Sequence, residues 1–512
     1  MPDAKEYASQ LVKGSAIVFS SLIASQLVAF LLRMFLAREL TVEEYGLFYA
    51  VFTFINFFGL FRDLGFGSAL VKYTSEFNAK RMFRELKSSM AFTLGFEALL
   101  SLFIAAMLVI FSNQIALGFF RSGGAVPLIR ILAAWFFVLT FTLFLSVFQG
   151  FRDMPAYALL QFLRNFLVLL FALVAVGYFG FGTQGVALAY LIELSAIVIL
   201  AFLLLRRRYP LIFKAEVSIT KKLVKKLSLF ALPVFLGGIG GLVIHYTDTL
   251  MITAFRSLPE VGLYQVAQPV SHFLWYFPTA LVTVLFPMVS EFWTRGKRRL
   301  LNMALSFIVK FSFILIMPAT LIFIAFPEIT INLLFGPEYL AGSTALQILS
   351  ATAIAYTIFM ILSYTMQGIG RPMVSTKVVA AMAIFNFLGN LALIPAYGIN
   401  GAAMTTLASY VLGTVLLFYY SERILKFTAP VSSIAKTALG GVITLFLIFE
   451  LKSLIELSPW VEAFVVIIPS IVFYAVWILA TRTVTREDLQ LLARIIPMPQ
   501  WLVRAAGKVV GK

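Results

Sequence analysis

A lone carboxylate, Asp248, sits in the apolar stretch "LVIHYTDTLMITAF", three residues after His245. Further along, Asn386 and Asn390 lie four residues apart on one helical face, and Ala402 and Thr406 share another. A carboxylate, two amides, a hydroxyl and a backbone carbonyl are hard oxygen donors of the kind Na⁺ takes, and coupling sites of secondary transporters use such mixtures. Two other readings stay open for these residues. Asp248 could carry a proton, or pair with His245. The asparagines could instead hold helices together, at about 0.6–2 kcal/mol per interhelical bond.

A second set has the chemistry to hold an anion and hydroxyls. Gln265, Gln268 and His272 fall at i, i+3 and i+7 on one stripe, and Gln26 and Arg33 share a face nearer the start. Arg33 and a protonated His272 would attract a phosphate, while Gln26, Asn56, Gln265 and Gln268 would hydrogen-bond sugar. The bland alternatives are an Arg33 that reaches lipid headgroups and a His272 that bonds a neighbouring helix. Other ionisable groups also fall in apolar stretches, where each costs at least about 2.5–3.5 kcal/mol at a helix centre. Arg164 and Glu193 lie at similar depth and are expected to pair. Glu97 and Lys310 have no partner evident in the sequence. Arg62 and Asp63, beside Gly65 and Gly67, mark a turn or inner gate.

The elements that must position these groups are membrane helices. Of 512 residues, 61% are hydrophobic and 12% charged, against about 25% charged in a soluble chain. Windows such as 88–111 hold a single charge in enough helix to cross a bilayer, which takes roughly 20 residues. The chain therefore reads as an all-α polytopic membrane protein; barrel strands, which alternate apolar and polar, do not run this apolar for this long. About fourteen spans are expected, at 12–37, 43–65, 87–112, 126–150, 155–179, 183–205, 228–254, 260–290, 300–326, 342–367, 373–396, 400–421, 434–451 and 460–480. The first is too long for a cleaved signal peptide and is expected to be kept. There is no cysteine, so disulfides, thiolate catalysis and cysteine metal sites are excluded.

The net charge of +17 is a topology signal rather than a nucleic-acid footprint. Lys and Arg crowd alternate loops, at 72–87, 206–226 and 295–299, and are missing from 182–187 and 395–401. By the positive-inside rule the crowded loops and both termini are cytoplasmic, and the same bases attract anionic headgroups.

The chain also repeats itself. "EYGLFYAV" begins at Glu44 and "EVGLYQVA" at Glu260, 216 residues later; "GVALAY" at Gly185 and "GAAMTT" at Gly401 keep that offset. "QGFRDMP" at Gln149 and "QGIGRP" at Gln367 are 218 apart, a difference of two loop residues. Several matches at one offset indicate duplication of a six-span unit, and an even span count makes it a parallel repeat about an axis along the membrane normal. The expected organisation is two pseudo-symmetric six-helix lobes, 1–210 and 228–425, joined by a basic linker 211–227. Two C-terminal helices at 426–482 and an amphipathic cytoplasmic tail 483–512 follow. In the first copy Leu32 stands where Asp248 does, and "VLLFALV" at 168–174 stands opposite the asparagines. The polar cluster is thus not a requirement of the fold. Tyr49, Phe52 and Asn56 occupy the stripe matching Gln265, Gln268 and His272.

"ARELTVEEYGLFYAVFTF" at 37–54 and "RDLGFGSALVKYTSE" at 62–76 resemble the start of Wzx-type polysaccharide flippases. These belong to the superfamily of multidrug, oligosaccharidyl-lipid and polysaccharide exporters, with the lipid II flippases and the multidrug and toxin extruders. The resemblance implies alternating access between two lobes around a midplane cavity. It further implies a flippase that moves a polyprenyl-phosphate- or diphosphate-linked oligosaccharide across the cell membrane. Through the sodium site of the lipid II flippases it implies a bound Na⁺ at Asp248, Asn386, Asn390, Ala402 and Thr406, with Asn390 replacing a second carboxylate. The first two helices of each lobe would line the gap, bringing Gln26, Arg33, Asn56, Gln265, Gln268 and His272 onto the substrate. The expected partners are the lipid-linked oligosaccharide and membrane lipids, with no cofactor other than that ion, no nucleic acid, and a monomeric protein.

Competing classes leave marks that this chain lacks or shows weakly. An enzyme acting on lipid-linked sugars would present carboxylates, His or Arg on a sizeable loop, whereas the two histidines lie in spans and the outer loops are short. A cation-coupled drug extruder would have a smaller, more apolar cavity. The tail from Thr485, "TREDLQLLARIIPMPQWLVRAAGKVVGK", carries a capping threonine, a Pro-broken apolar stripe and Trp501. It is expected to lie on the cytoplasmic membrane face.

Overall fold

In the computed structural model, the described residues are 23–454, 459–485 and 488. Among them regular structure is helical throughout, and eleven helices are long and apolar enough to cross a membrane. The start of the first expected span, the tail stripe and Trp501 lie outside the described residues. Contact density divides the chain into two compact units, Met1–Gln265 and Val266–Lys512. The seventh span thereby groups with the first six; the lobes 1–210 and 228–425 are a division by repeat, not by contact.

The first unit holds α1 (23–39), α2 (Val42–Asp63), α3 (Phe66–Ala79), α4 (Phe83–Ile110), α5 (Ala125–Gly150), α6 (Met154–Tyr178), α7 (Gly182–Arg208) and α8 (Lys221–Phe255). It ends eight residues into α9 (Leu258–Phe273). The repeated "TxxE" and "SxxE" stretches explain where the second span of each copy begins. Thr41 and Glu44 form a reciprocal capping box, Glu44 N to Thr41 Oγ1 at 3.2 Å and Thr41 N to Glu44 Oε2 at 3.0 Å. Ser257 and Glu260 hold the equivalent place in the second copy, 3.4 Å apart. The second span then breaks: Leu64 and Gly65 take left-handed backbone, φ 43° and 82°, and the chain restarts as α3. This is the turn that Arg62, Asp63 and the neighbouring glycines suggested.

The second unit holds the rest of α9 and then α10 (Tyr276–Thr294), which follows a break at 274–275. It continues through α11 (Arg298–Ala325), α12 (Ser343–Gly368), α13 (Pro372–Leu425), α14 (Val431–Leu454) and α15 (Pro459–Ala480). A straight 54-residue helix would run about 80 Å, far beyond a hydrocarbon core of roughly 30 Å. The helix folds back at Gly398, φ 55° and ψ −134°, with Pro395 just before it. The two halves are the spans expected at 373–396 and 400–421.

The repeated "QG" has a packing reason, and it is the same in both units. A methyl group added to Gly150 would lie 2.6 Å from Thr74 Cβ and 2.8 Å from the Val71 carbonyl oxygen; one on Gly368 would lie 2.8 Å from Val289 Cγ1 and 3.3 Å from the Phe286 oxygen. Both partners of Gly368 sit 215 residues after those of Gly150. Each copy therefore presses the end of its fourth span onto the inner segment of its second, and only glycine fits between them.

Two charges without a partner in the sequence gain one in space. Glu97 Oε2 lies 3.5 Å from Arg62 Nη1. Lys310 pairs with Asp488, which also accepts from Thr485 N and Oγ1, both at 2.7 Å. Removing one member of a buried pair costs about 3–5 kcal/mol, whereas replacing both by apolar residues is near neutral. Lys310→Met should accordingly lower the thermal unfolding midpoint of the purified protein by several degrees, and Lys310→Met/Asp488→Leu should recover most of it. Equal midpoints for the single variant and wild type would show the pair to be idle.

Candidate functional site

Arg33, on α1, does not extend toward headgroups. Its Nη1 donates to the Gln265 carbonyl oxygen at 3.1 Å and to Gln265 Oε1 at 3.4 Å, and its guanidinium lies 4.3 Å from the Tyr49 ring centroid. Gln265 in turn donates to Thr249 Oγ1 at 2.8 Å, and Tyr264 donates to Asp248 Oδ2 at 2.6 Å. Asp248, Thr249, Tyr264 and Gln265 are all more than nine-tenths buried. An Arg33–Gln265–Thr249 chain and a Tyr264–Asp248 pair therefore tie α1 and α8 to α9.

This arrangement obeys the 216-residue repeat. Leu32 and Phe48 of the first copy stand where Asp248 and Tyr264 stand in the second; Arg33 and Tyr49 stand where Thr249 and Gln265 do. The second copy joins its first and second spans by two hydrogen bonds, and the first copy joins the matching pair Arg33 and Tyr49 by a cation–π contact. Arg33 then crosses from the first set to the second.

Gly46 and Gly262 bring the second spans of the two copies together. A methyl on Gly46 would overlap the Leu258 carbonyl oxygen, and one on Gly262 would overlap the carbonyl oxygen of Val42, the residue matching Leu258. The contact is reciprocal, as a pseudo-two-fold axis requires, and Tyr49 and Gln265 each follow three residues after their glycine.

Thr249 and Tyr264 were not among the residues singled out from the sequence, and Tyr49 was placed on the matching stripe without a role. A usable signal was present: position 48/264 changes from Phe to Tyr in the same copy in which 32/248 changes from Leu to Asp, and the two positions touch. Asn56 donates back to the Phe52 carbonyl of its own helix at 2.8 Å. Gln26 is exposed on α1.

The remaining sequence candidates lie in the second unit. His272 stacks on Trp275, ring centroids 3.9 Å apart, at the break that ends α9; Trp275 stacks on Tyr356 at 4.0 Å. Gln268 is half-buried one turn earlier. Across the hairpin of α13, Asn390 Nδ2 donates to Asn386 Oδ1 at 3.2 Å and Asn386 Nδ2 to Thr406 Oγ1 at 3.4 Å, with Ala402 fully buried beside them. Back in the first unit, Arg164 and Glu193 pair as expected, Nε to Oε1 at 3.6 Å. Among the described residues no group of three or more His, Cys, Asp or Glu side chains converges as a metal cluster.

Polytopic helices in two sequence-related copies, with buried polar groups where first and second spans meet, define a transporter of the multidrug, oligosaccharidyl-lipid and polysaccharide exporter type. The chain belongs to the polysaccharide biosynthesis protein family, which matches residues 11–293; the MatE family matches 233–392. An uncharacterised membrane protein of Methanocaldococcus jannaschii is 29% identical over 486 residues, covering 92% of this chain and 95% of that one. A probable low-salt glycan biosynthesis flippase of Haloferax volcanii is 24% identical over 260 residues, so the match spans 51% of this chain and 55% of the flippase. Two solved structures share the fold. The lipid II flippase in its inward closed conformation has a TM-score of 0.72 at 16% identity, covering 91% of this chain and 98% of that one. An inward-facing multidrug resistance transporter has a TM-score of 0.66 at 16% identity, covering 80% and 98%.

Proposed function

We propose that this protein flips a polyprenyl-phosphate- or diphosphate-linked oligosaccharide from the cytoplasmic to the outer leaflet of the cell membrane, with both its termini in the cytoplasm, by alternating access. The observation that carries this reading is Arg33. A permanent cation at membrane depth, held by uncharged partners, retains its net charge for an anionic ligand, and a guanidinium is suited to phosphate oxygens. Gln265 and Tyr49 beside it, and Asn56 further along α2, are groups that hydrogen-bond or stack on sugar in this proposal. Gln26, Gln268 and His272 are the further substrate contacts of this proposal, with the lobes at 1–210 and 228–425 as its moving parts and a monomer as its functional form. The family membership and the Haloferax relative support the substrate class.

A Na⁺ gradient drives the cycle in this proposal, through Asp248. Its carboxylate is buried and oriented by Tyr264, and the first copy has no counterpart to it. Asn386, Asn390, Ala402 and Thr406 are the further ion ligands of this proposal; within the second unit Asn390 donates to Asn386 and Asn386 to Thr406. Thermal unfolding in Na⁺ against K⁺ or choline tests the ion directly, because a ligand stabilises the state that binds it. A Na⁺-specific rise in midpoint is expected for wild type, about 2.7 kcal/mol at a hundredfold excess over Kd, and none for Asp248→Asn. Identical midpoints in all three cations would remove sodium from the scheme and leave the flippase reading in place. The MatE match favours one competing reading, a cation-coupled extruder. Transport of lipophilic cations, and none of a labelled polyprenyl-diphosphate glycan, by the protein in vesicles would establish it.

A further inference from the structure

A second polar site lies in the first unit, at the break between α2 and α3. Asp63 Oδ1 accepts from Gly67 N at 2.7 Å, so this carboxylate caps α3 and its charge is held by the amides of that helix start. One residue earlier, Arg62 faces Glu97 of α4, Nη1 to Oε2 at 3.5 Å. Glu97 is 1% exposed, and among the described residues neither of its carboxyl oxygens receives a hydrogen bond. The Asp63 carboxyl lines the same cavity as Glu97. Two ionised carboxylates have only acceptors to offer one another, so neither can satisfy the other without a proton. Arg62, Asp63 and Glu97 line a cavity of about 280 Å³ together with Ser68, Ser146 and Gln149. That space is large enough for several waters, and its lining offers the polar partners each would need.

The charges that bear on Glu97 are Arg62 and Asp63. Arg62 in turn feels Arg164, whose own partner is Glu193. Glu97 and Glu193 each face one guanidinium at a similar distance, 3.5 and 3.6 Å. What sets Glu97 apart is a second carboxyl, Asp63, on the same cavity wall. Two carboxyl groups sharing a site do not both ionise easily.

We propose that Glu97 carries one exchangeable proton in this cavity, opposite the Asp63 carboxylate, making the α2–α3 break a proton-binding site in the first unit. On uptake, hydronium in the cavity gives up its proton, an O–H bond forms on Glu97, and water is left behind. On release the carboxylate is restored and its ion pair with Arg62 tightens. This site involves neither Arg33 nor Asp248, so it stands or falls separately from the substrate and the sodium coupling.

Infrared difference spectra of the full-length protein in nanodiscs, recorded across pH, test it. Wild type should show a protonated-carboxyl band that is lost as pH rises. The band should be missing in Glu97→Gln and unchanged in Glu193→Gln. In Asp63→Asn, with the like charge gone, the midpoint should fall by about one pH unit or more. Asp63→Asn also carries the test if Glu97→Gln fails to fold. A titrating band that survives in folded Glu97→Gln, that follows Glu193 instead, or that keeps its midpoint in Asp63→Asn would overturn the proposal, as would the lack of any titrating band in wild type.

Discussion

Gly46→Ala should be among the most damaging single-methyl changes in this protein. The added carbon would collide with the Leu258 carbonyl oxygen, which is backbone and cannot rotate aside. Relief requires α2 and α9 to separate, and overpacking of this kind costs about 1–3 kcal/mol and occasionally more. Gly262→Ala should lose a similar amount, because its methyl would meet the Val42 carbonyl in the mirrored contact. Gly59→Ala is the control: it lies on the same helix with nothing within 4 Å of the added methyl. There alanine should gain about 0.5–1 kcal/mol from its lower backbone entropy in the unfolded chain. Thermal unfolding of the three variants in one detergent measures the contrast. Midpoints for Gly46→Ala and Gly262→Ala at or above wild type would show that the second spans of the two copies do not pack backbone to backbone.

Arg33→Gln should nearly abolish transport while leaving the protein folded. A hydrogen bond to a charged group is worth about 1.5–3 kcal/mol, which is roughly ten- to 150-fold in affinity for an anionic ligand. Glutamine keeps the side-chain stem and an uncharged donor at this position, so the main quantity lost is the charge. Arg33→Lys should recover part of the activity, since ammonium keeps the charge and gives up the forked donor geometry and much of the stacking on Tyr49. His272→Ala should also lose transport if its ring meets substrate. Flipping of a labelled polyprenyl-diphosphate glycan in vesicles, with unfolding midpoints measured alongside, separates charge from folding. Wild-type rates in both Arg33→Gln and His272→Ala would sink the substrate assignment.

Much of this was written in the sequence. Hydropathy records the solvent a segment must face, and each span is a local property of some twenty residues, so the helices and their order could be read directly. The 54-residue helix was divisible in advance, because "PAYGING" interrupts the apolar run where Gly398 later turns the chain. Duplication extended that reach. The offset of 216 residues marked Asp248 as polar where its counterpart Leu32 is not, and it tied Gly46 to Gly262 before any contact was known.

What the sequence could not supply was the partner of each buried charge. Glu97 looked solitary because Arg62 lies on a different helix, and Lys310 because Asp488 is 178 residues away. Arg33 could as well have pointed at headgroups as at Gln265. Nothing local to these side chains encodes such choices. They follow from which helices pack together, at what depth, and from the cost of leaving a charge unpaired out of water. The sequence by itself determined the solvent, the spans and the repeat, since each is written in the order of residues along the chain. Only the tertiary structure decided that Tyr264 orients Asp248, that Arg33 crosses between the two copies, and that a broken second span leaves two carboxyls facing one cavity.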